Sequence, residues 1–148
     1  MSEHVNSKIL CCSRSLYALK TLKAHGLPSA EVQEVFRATV LSSLLYASPA
    51  WWGLASAADI ARIHSYLKRA IKFGHCSSQL PTLQTLVNNA DSTLFKQISS
   101  DKFHILHPLL PPLKPRHHNL RPRSHPYVIP DRSTALLDKT FLTRMLYK

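Results

Sequence analysis

From Ala38 to Ala58 the chain carries no charged residue, although the protein has a formal net charge of +11. Excluding charge from one stretch of so basic a chain marks that stretch as a packing centre, within the chain or against a partner surface. Its middle reads LLYASPAWWG, from Leu44 to Gly53. Trp51 and Trp52, behind Pro49 and a turn after Tyr46, offer large apolar area, and their indole and phenol groups want hydrogen-bond partners at its edge. Crossing a bilayer takes about 20 apolar residues. Thr39, Ser42, Ser43, Ser48 and Ser56, with a mid-run Pro49, argue against a span, so no membrane partner is expected.

Around this run the spacing of apolar residues predicts helices. Asn6 or Ser7 caps a first helix with Ile9, Cys12, Leu16 and Leu19 on one stripe, and Gly26 is its stop. Ser29 caps a second, with Glu31 in the first turn and Val32, Val35, Phe36 and Val40 facing inward. From Leu41 to Tyr46 apolar residues surround the helix, which suits a central element. Pro49 disfavours helix at Ser48 and should kink or end the element there. Ser56 and Asp59 form a capping-box pattern for a third helix, in which Ile60, Ile63, Leu67 and Ile71 line one side and Gly74 closes the end. Arg62, Lys68, Arg69 and Lys72 fall on its opposite face.

Beyond this, Thr82 caps a brief helix through Val87 and Asp91 caps another through Ile98. From Pro108 to Pro130 prolines recur among Lys114, Arg116, His117, His118, Arg121 and Arg123. Such a stretch reads as extended, polyproline-like and outside any core. Leu136, Leu137, Phe141, Met145 and Leu146 then suggest a last short helix. The expected fold is all-α, with about three main helices and one or two short ones, divided as a helical domain over 1–104, a Pro-rich basic segment over 105–132 and a short helix or tail over 133–148.

At 148 residues the chain holds one modest core with an appendage. Its basicity favours a polyanionic partner, because each phosphate neutralised by Lys or Arg releases a counterion. Cys11, Cys12 and Cys76 make no disulfide framework, and the amino terminus lacks an apolar signal core, so a nuclear or cytoplasmic location is expected.

The order of blocks SRSLYALKTLKAHGLP, LLYASPAWWG, a basic helix, HPLLPP, NLRPRSHPYVIP and FLTRMLYK resembles the carboxy-terminal part of the reverse transcriptase of non-LTR retrotransposons (LINE, jockey-like). The likeness spans nearly the whole chain. In that family the region follows the polymerase palm and comprises the thumb helices and a tail; SEHV at the start is similar to a segment just past the palm, which implies that Met1 was internal to a longer frame. The resemblance implies a helical thumb that grips duplex nucleic acid by its backbone, RNA or an RNA–DNA hybrid, weakly and without sequence preference. It favours Arg62, Lys68, Arg69 and Lys72 as phosphate contacts, and gives Tyr46, Pro49 and Trp51 a part in seating the thumb. Arg121 and Arg123 are further candidates, and Trp52 joins the packing group.

Polymerase chemistry does not carry over. It needs carboxylates that clamp two Mg²⁺ ions, including an adjacent Asp pair. The acids here are Glu3, Glu31, Glu34, Asp59, Asp91, Asp101, Asp131 and Asp138, no two of them adjacent. No enzyme activity and no cofactor is expected. Zinc is not expected either, since no Cys-x2-Cys half-site accompanies His75, Cys76, His104 and His107. His75 beside Cys76 does not define a nucleophile pair. The alternative is a protein-interaction or functionless retroelement remnant, whose uncovered apolar surface from Tyr46 to Trp52 promotes self-association. Stacking of bases on Trp51 and Trp52 is the weaker reading, because no Lys or Arg is interleaved with them.

Overall fold

A computed structural model of the protein describes residues 2–114, 125–131 and 134–148. It is all-α: no strand occurs among the described residues, and a single antiparallel bridge joins Leu113 and Tyr127. The chain divides into two compact units, Met1–Val87 and Asn88–Lys148. The division falls inside a helix.

In the first unit, helix α1 spans Ser2–Ala24. It starts four residues before the expected Asn6 cap, because Val5 belongs to the core and draws the first turn into the helix. Val5, Cys12 and Leu19 are buried seven residues apart, with Ile9 and Leu16 partly buried between them. Gly26 ends α1 with φ at 93°. The Leu27 amide bonds the Leu22 carbonyl and the Gly26 amide bonds that of Lys23, the paired bonds of a Schellman turn.

Helix α2, Ser29–Phe36, begins at Ser29 itself. Ser29 is not the cap; the flanking residue is Pro28, whose carbonyl accepts from the Val32 amide. Val32, Phe36 and Val40 are buried as expected, whereas Val35 is exposed. The next turn is a π-helical segment over Arg37–Leu41 that leads into α3, Ser42–Leu45. Buried positions at 32, 36, 40 and 44 recur every four residues, which outruns an α-turn of about 3.6. The wider π-turn takes up that drift, so Leu44 still faces the core.

Helix α3 ends at Leu45, ahead of Pro49, but Ser48 is itself helical, against the expectation, because a proline in a first turn gives up no intrahelical bond. Ala47 takes the left-handed conformation, φ 52° and ψ 24°, at a cost of about 1–2 kcal/mol for a residue with a Cβ. A short helix α4, Ser48–Trp51, carries the proline in its first turn, and a 3₁₀ turn, Trp52–Leu54, follows.

Helix α5 spans Ala57–Lys72 with its capping box complete. The Ser56 hydroxyl accepts from the Asp59 amide at 3.1 Å, and Asp59 Oδ2 accepts from the Ser56 amide at 3.4 Å. Ile63, Tyr66, Leu67 and Ala70 are buried, and Ile60 and Ile71 partly so. Gly74, φ 70°, closes α5 with a second Schellman turn, the His75 amide reaching the Ala70 carbonyl.

Helix α6 is one continuous element, Leu83–Ser100, and not two brief ones. Thr82 does cap it, its hydroxyl accepting from the Thr85 amide at 3.2 Å. Asp91, expected as a second cap, is buried in mid-helix, where Arg144 Nη1 meets its Oδ2 at 3.0 Å. A carboxylate whose Oδ2 is engaged by a guanidinium is drawn away from the backbone amides, so the helix continues.

In the second unit Phe95, Tyr127, Met145 and Leu146 form a small cluster, with Leu110 and Phe141 against it. Phe141, Met145 and Leu146 come from α7, Phe141–Leu146, and a 3₁₀ turn at Leu137–Lys139 precedes it. Contrary to expectation, the proline-rich segment contributes to this core through His125 and Tyr127. The prolines hold the backbone extended, and the amides that remain complete the bridge: Lys114 donates to the Pro126 carbonyl and Val128 to that of Pro112, both at 2.9 Å.

Candidate nucleic-acid interface

Helices α1 and α5 run parallel, pinned together at points that advance along both. The Ser2 hydroxyl bonds Asp59 Oδ2 at 2.9 Å, Arg62 Nη1 bonds Asn6 Oδ1, the Tyr66 hydroxyl bonds the Cys12 carbonyl at 2.7 Å, and Lys23 Nζ bonds the Phe73 carbonyl at 3.2 Å. The two carboxy-terminal ends therefore lie side by side. The acids of these helices, Glu3 and Asp59, sit at the opposite ends.

Cations gather where the helices finish. Lys68, Arg69 and Lys72 on α5 and Lys20 and Lys23 on α1 are all exposed. Among the described residues no carboxylate pairs with Lys68, Arg69 or Lys72. Part of this placement is ordinary helix physics, since the negative end of the macrodipole favours cations in the last turn. Lys23 does that work across the helix pair, its ammonium meeting the Phe73 carbonyl of α5. The remaining cations exceed what two helix ends require, and they leave an exposed strip of positive charge.

Arg62 behaves differently from its expected partners in this group. It lies at the acidic end, 3.9 Å from Asp59 Oδ1, with Asn6 occupying the same guanidinium nitrogen. Hydrogen bonds from the Ser56 and Ser2 hydroxyls hold the Asp59 carboxyl below its ordinary range, so this counter-charge persists. Arg121 and Arg123 lie outside the described residues.

His75 and Cys76, both buried, close the same end of the unit. Burial, reinforced by Lys23 and Lys20, pushes the His75 imidazole below its ordinary value. Burial pushes the Cys76 thiol up, with Arg37 opposing, and it pushes Cys12 up as well. Raised thiols are poor nucleophiles. Among the described residues no group of three His, Cys, Asp or Glu side chains is placed to hold a metal ion, and no helix is long and apolar enough to cross a membrane.

The packing group separates into two classes. Trp51 and Trp52 are each 6% exposed and belong to the core, their rings 5.7 Å apart edge to face. The Trp51 indole N–H finds the Tyr46 carbonyl at 3.2 Å, and Pro49 is half-buried. Tyr46 itself is 72% exposed, with Lys8 Nζ 5.3 Å from its ring centroid. The expected uncovered patch from Tyr46 to Trp52 is thus reduced to one phenol ring, because the two indoles are satisfied within the chain.

Sequence reasoning missed Lys20 and Lys23 as members of the basic strip. Their position on α1 was readable, but the parallel pairing that carries them to the end of α5 was not. Comparison with models of protein families, with curated protein sequences and with solved structures finds no match for the chain.

Proposed function

We propose that this chain is a non-catalytic, thumb-like portion of a non-LTR retrotransposon reverse transcriptase that binds nucleic acid by its phosphate backbone, weakly and without sequence preference. One observation carries the reading: α5 buries Ile63, Tyr66, Leu67 and Ala70 on one face while Lys68, Arg69 and Lys72 stand exposed and without carboxylate partners on the other. Lys20 and Lys23 extend that face along α1. Arg62, held by Asp59 and Asn6, contributes less than the other three. Such a strip suits RNA or an RNA–DNA hybrid, whose regular phosphates need point charges and no base readout.

Salt titration tests it. Binding to an RNA–DNA hybrid should fall with salt along a log-log slope of roughly −2 to −3 if three phosphates are neutralised. Replacing Lys68, Arg69 and Lys72 by Gln should remove most of that slope. A slope indistinguishable from zero in the unaltered protein overturns the proposal.

A second reading, a protein-interaction or functionless remnant prone to self-association, is favoured by Phe103 and Ile105, which are 98% and 85% exposed. Replacing both by Ser should abolish concentration-dependent light scattering under that reading.

A further inference from the structure

We infer that Tyr46 is a stacking platform for an unpaired nucleobase, making the first unit a reader of single-stranded as well as duplex segments. The inference rests on the nucleic-acid reading above and adds a ligand class to it. It begins from an inversion of the expected arrangement: of the three aromatic residues in the uncharged run, the two indoles are buried and the phenol is not.

Three observations converge on that ring. Its backbone is fixed on both sides, because the Tyr46 amide donates to the Ser42 carbonyl at 2.9 Å and the Tyr46 carbonyl accepts from the buried Trp51 indole. The next residue, Ala47, is held in the left-handed region, and the ring beside it is exposed. Non-glycine residues kept in such conformations by surrounding packing cluster at binding sites. Finally, Lys8 Nζ lies over one face of the ring at 5.3 Å, a cation–π contact that sets positive charge beside a base stacked on the other face. An aromatic face beside a lysine is the unit from which single-strand binding sites are assembled.

Tyr17 supplies a comparison within the molecule. It is 73% exposed on α1, yet among the described residues no cation lies over its ring. Exposure alone is therefore shared, and the lysine over the ring is not.

The test uses the full chain and fluorescence anisotropy with labelled oligo(U) and with an RNA–DNA hybrid. Tyr46→Ala should weaken oligo(U) binding about tenfold, the worth of one stacked base, and leave hybrid binding unchanged. Tyr46→Phe, which keeps the ring, should match the unaltered protein, as should Tyr17→Ala. Full oligo(U) affinity in Tyr46→Ala, with hybrid binding intact, overturns the platform and spares the backbone-binding reading. An equal loss on both ligands, or a loss shared by Tyr17→Ala, also overturns it, because stacking cannot act on a paired base. If the unaltered protein binds neither ligand, both readings fail together.

Discussion

The phenolic hydroxyl of Tyr66 donates to the main-chain carbonyl of Cys12 at 2.7 Å, across the buried seam between α5 and α1. Burial raises the Tyr66 hydroxyl above its ordinary range, so it stays protonated and able to donate. Cys12 reaches onward, its thiol 3.9 Å from the Val40 carbonyl in the π-turn. Tyr66→Phe keeps the ring and loses the bond, so it should cost about 1 kcal/mol. Tyr66→Ala should cost about 3–5 kcal/mol through the cavity it leaves. Urea denaturation followed by circular dichroism separates the two; a Tyr66→Phe cost indistinguishable from zero would show that the hydroxyl contributes nothing.

The two glycine stops should respond alike to a Cβ, for a shared reason and one local difference. Gly26→Ala and Gly74→Ala each place alanine in the left-handed region, worth about 1–2 kcal/mol. Around Gly26 an added Cβ meets nothing within 4 Å, whereas at Gly74 it meets Lys23 Nζ at 3.0 Å. That ammonium is the far end of a flexible chain and can retreat, giving up the Phe73 carbonyl. Gly74→Ala should therefore be slightly the more costly, and the excess should vanish in a Lys23→Met background when thermal melts are compared.

Acid should weaken the first unit through His75. Its imidazole is held below the ordinary value of 6.5, so the unfolded chain takes up protons that the folded one refuses. Stability is then lost as pH drops below 6.5 and levels off once the depressed value is passed. His75→Gln should flatten that part of the profile in denaturation midpoints measured on either side of 6.5. A profile unchanged by the substitution would assign the slope to other groups.

In the second unit, burial raises the Asp91 carboxyl although Arg144 and Lys148 pull it down, and its Oδ1 is buried without a hydrogen-bond partner among the described residues. Removing the guanidinium by Arg144→Met should cost about 3–5 kcal/mol at neutral pH, since a buried charge loses its counter-ion. A raised carboxyl binds its proton more readily in the folded state, so acidification should restore part of the loss. Adding Asp91→Asn should recover most of it at neutral pH. Limited proteolysis of the carboxy-terminal segment reads all three states.

Where local chemistry decides structure, the sequence was a sufficient guide. The Ser56–Asp59 box, the two glycine stops and the outward phase of Lys68, Arg69 and Lys72 each depend on residues a few positions apart. The departures share a different origin. The early start of α1, the continuity of α6 through Asp91, the burial of His125 and Tyr127 and the exposure of Tyr46 are all set by partners distant in the chain: Asp59 for Ser2, Arg144 for Asp91, the Leu146 carbonyl for the His125 ring.

That same wide turn between Arg37 and Leu41 has the geometry of a single inserted amino acid absorbed without unwinding its helix. Excising one residue there would restore a regular register and spin everything downstream by about 100° about the axis. Leu44 would leave the core and the indoles would lose their seats. The segment is consequently a place where removal of one residue should disturb the core far more than substitution of its exposed Arg37, Ala38 or Thr39.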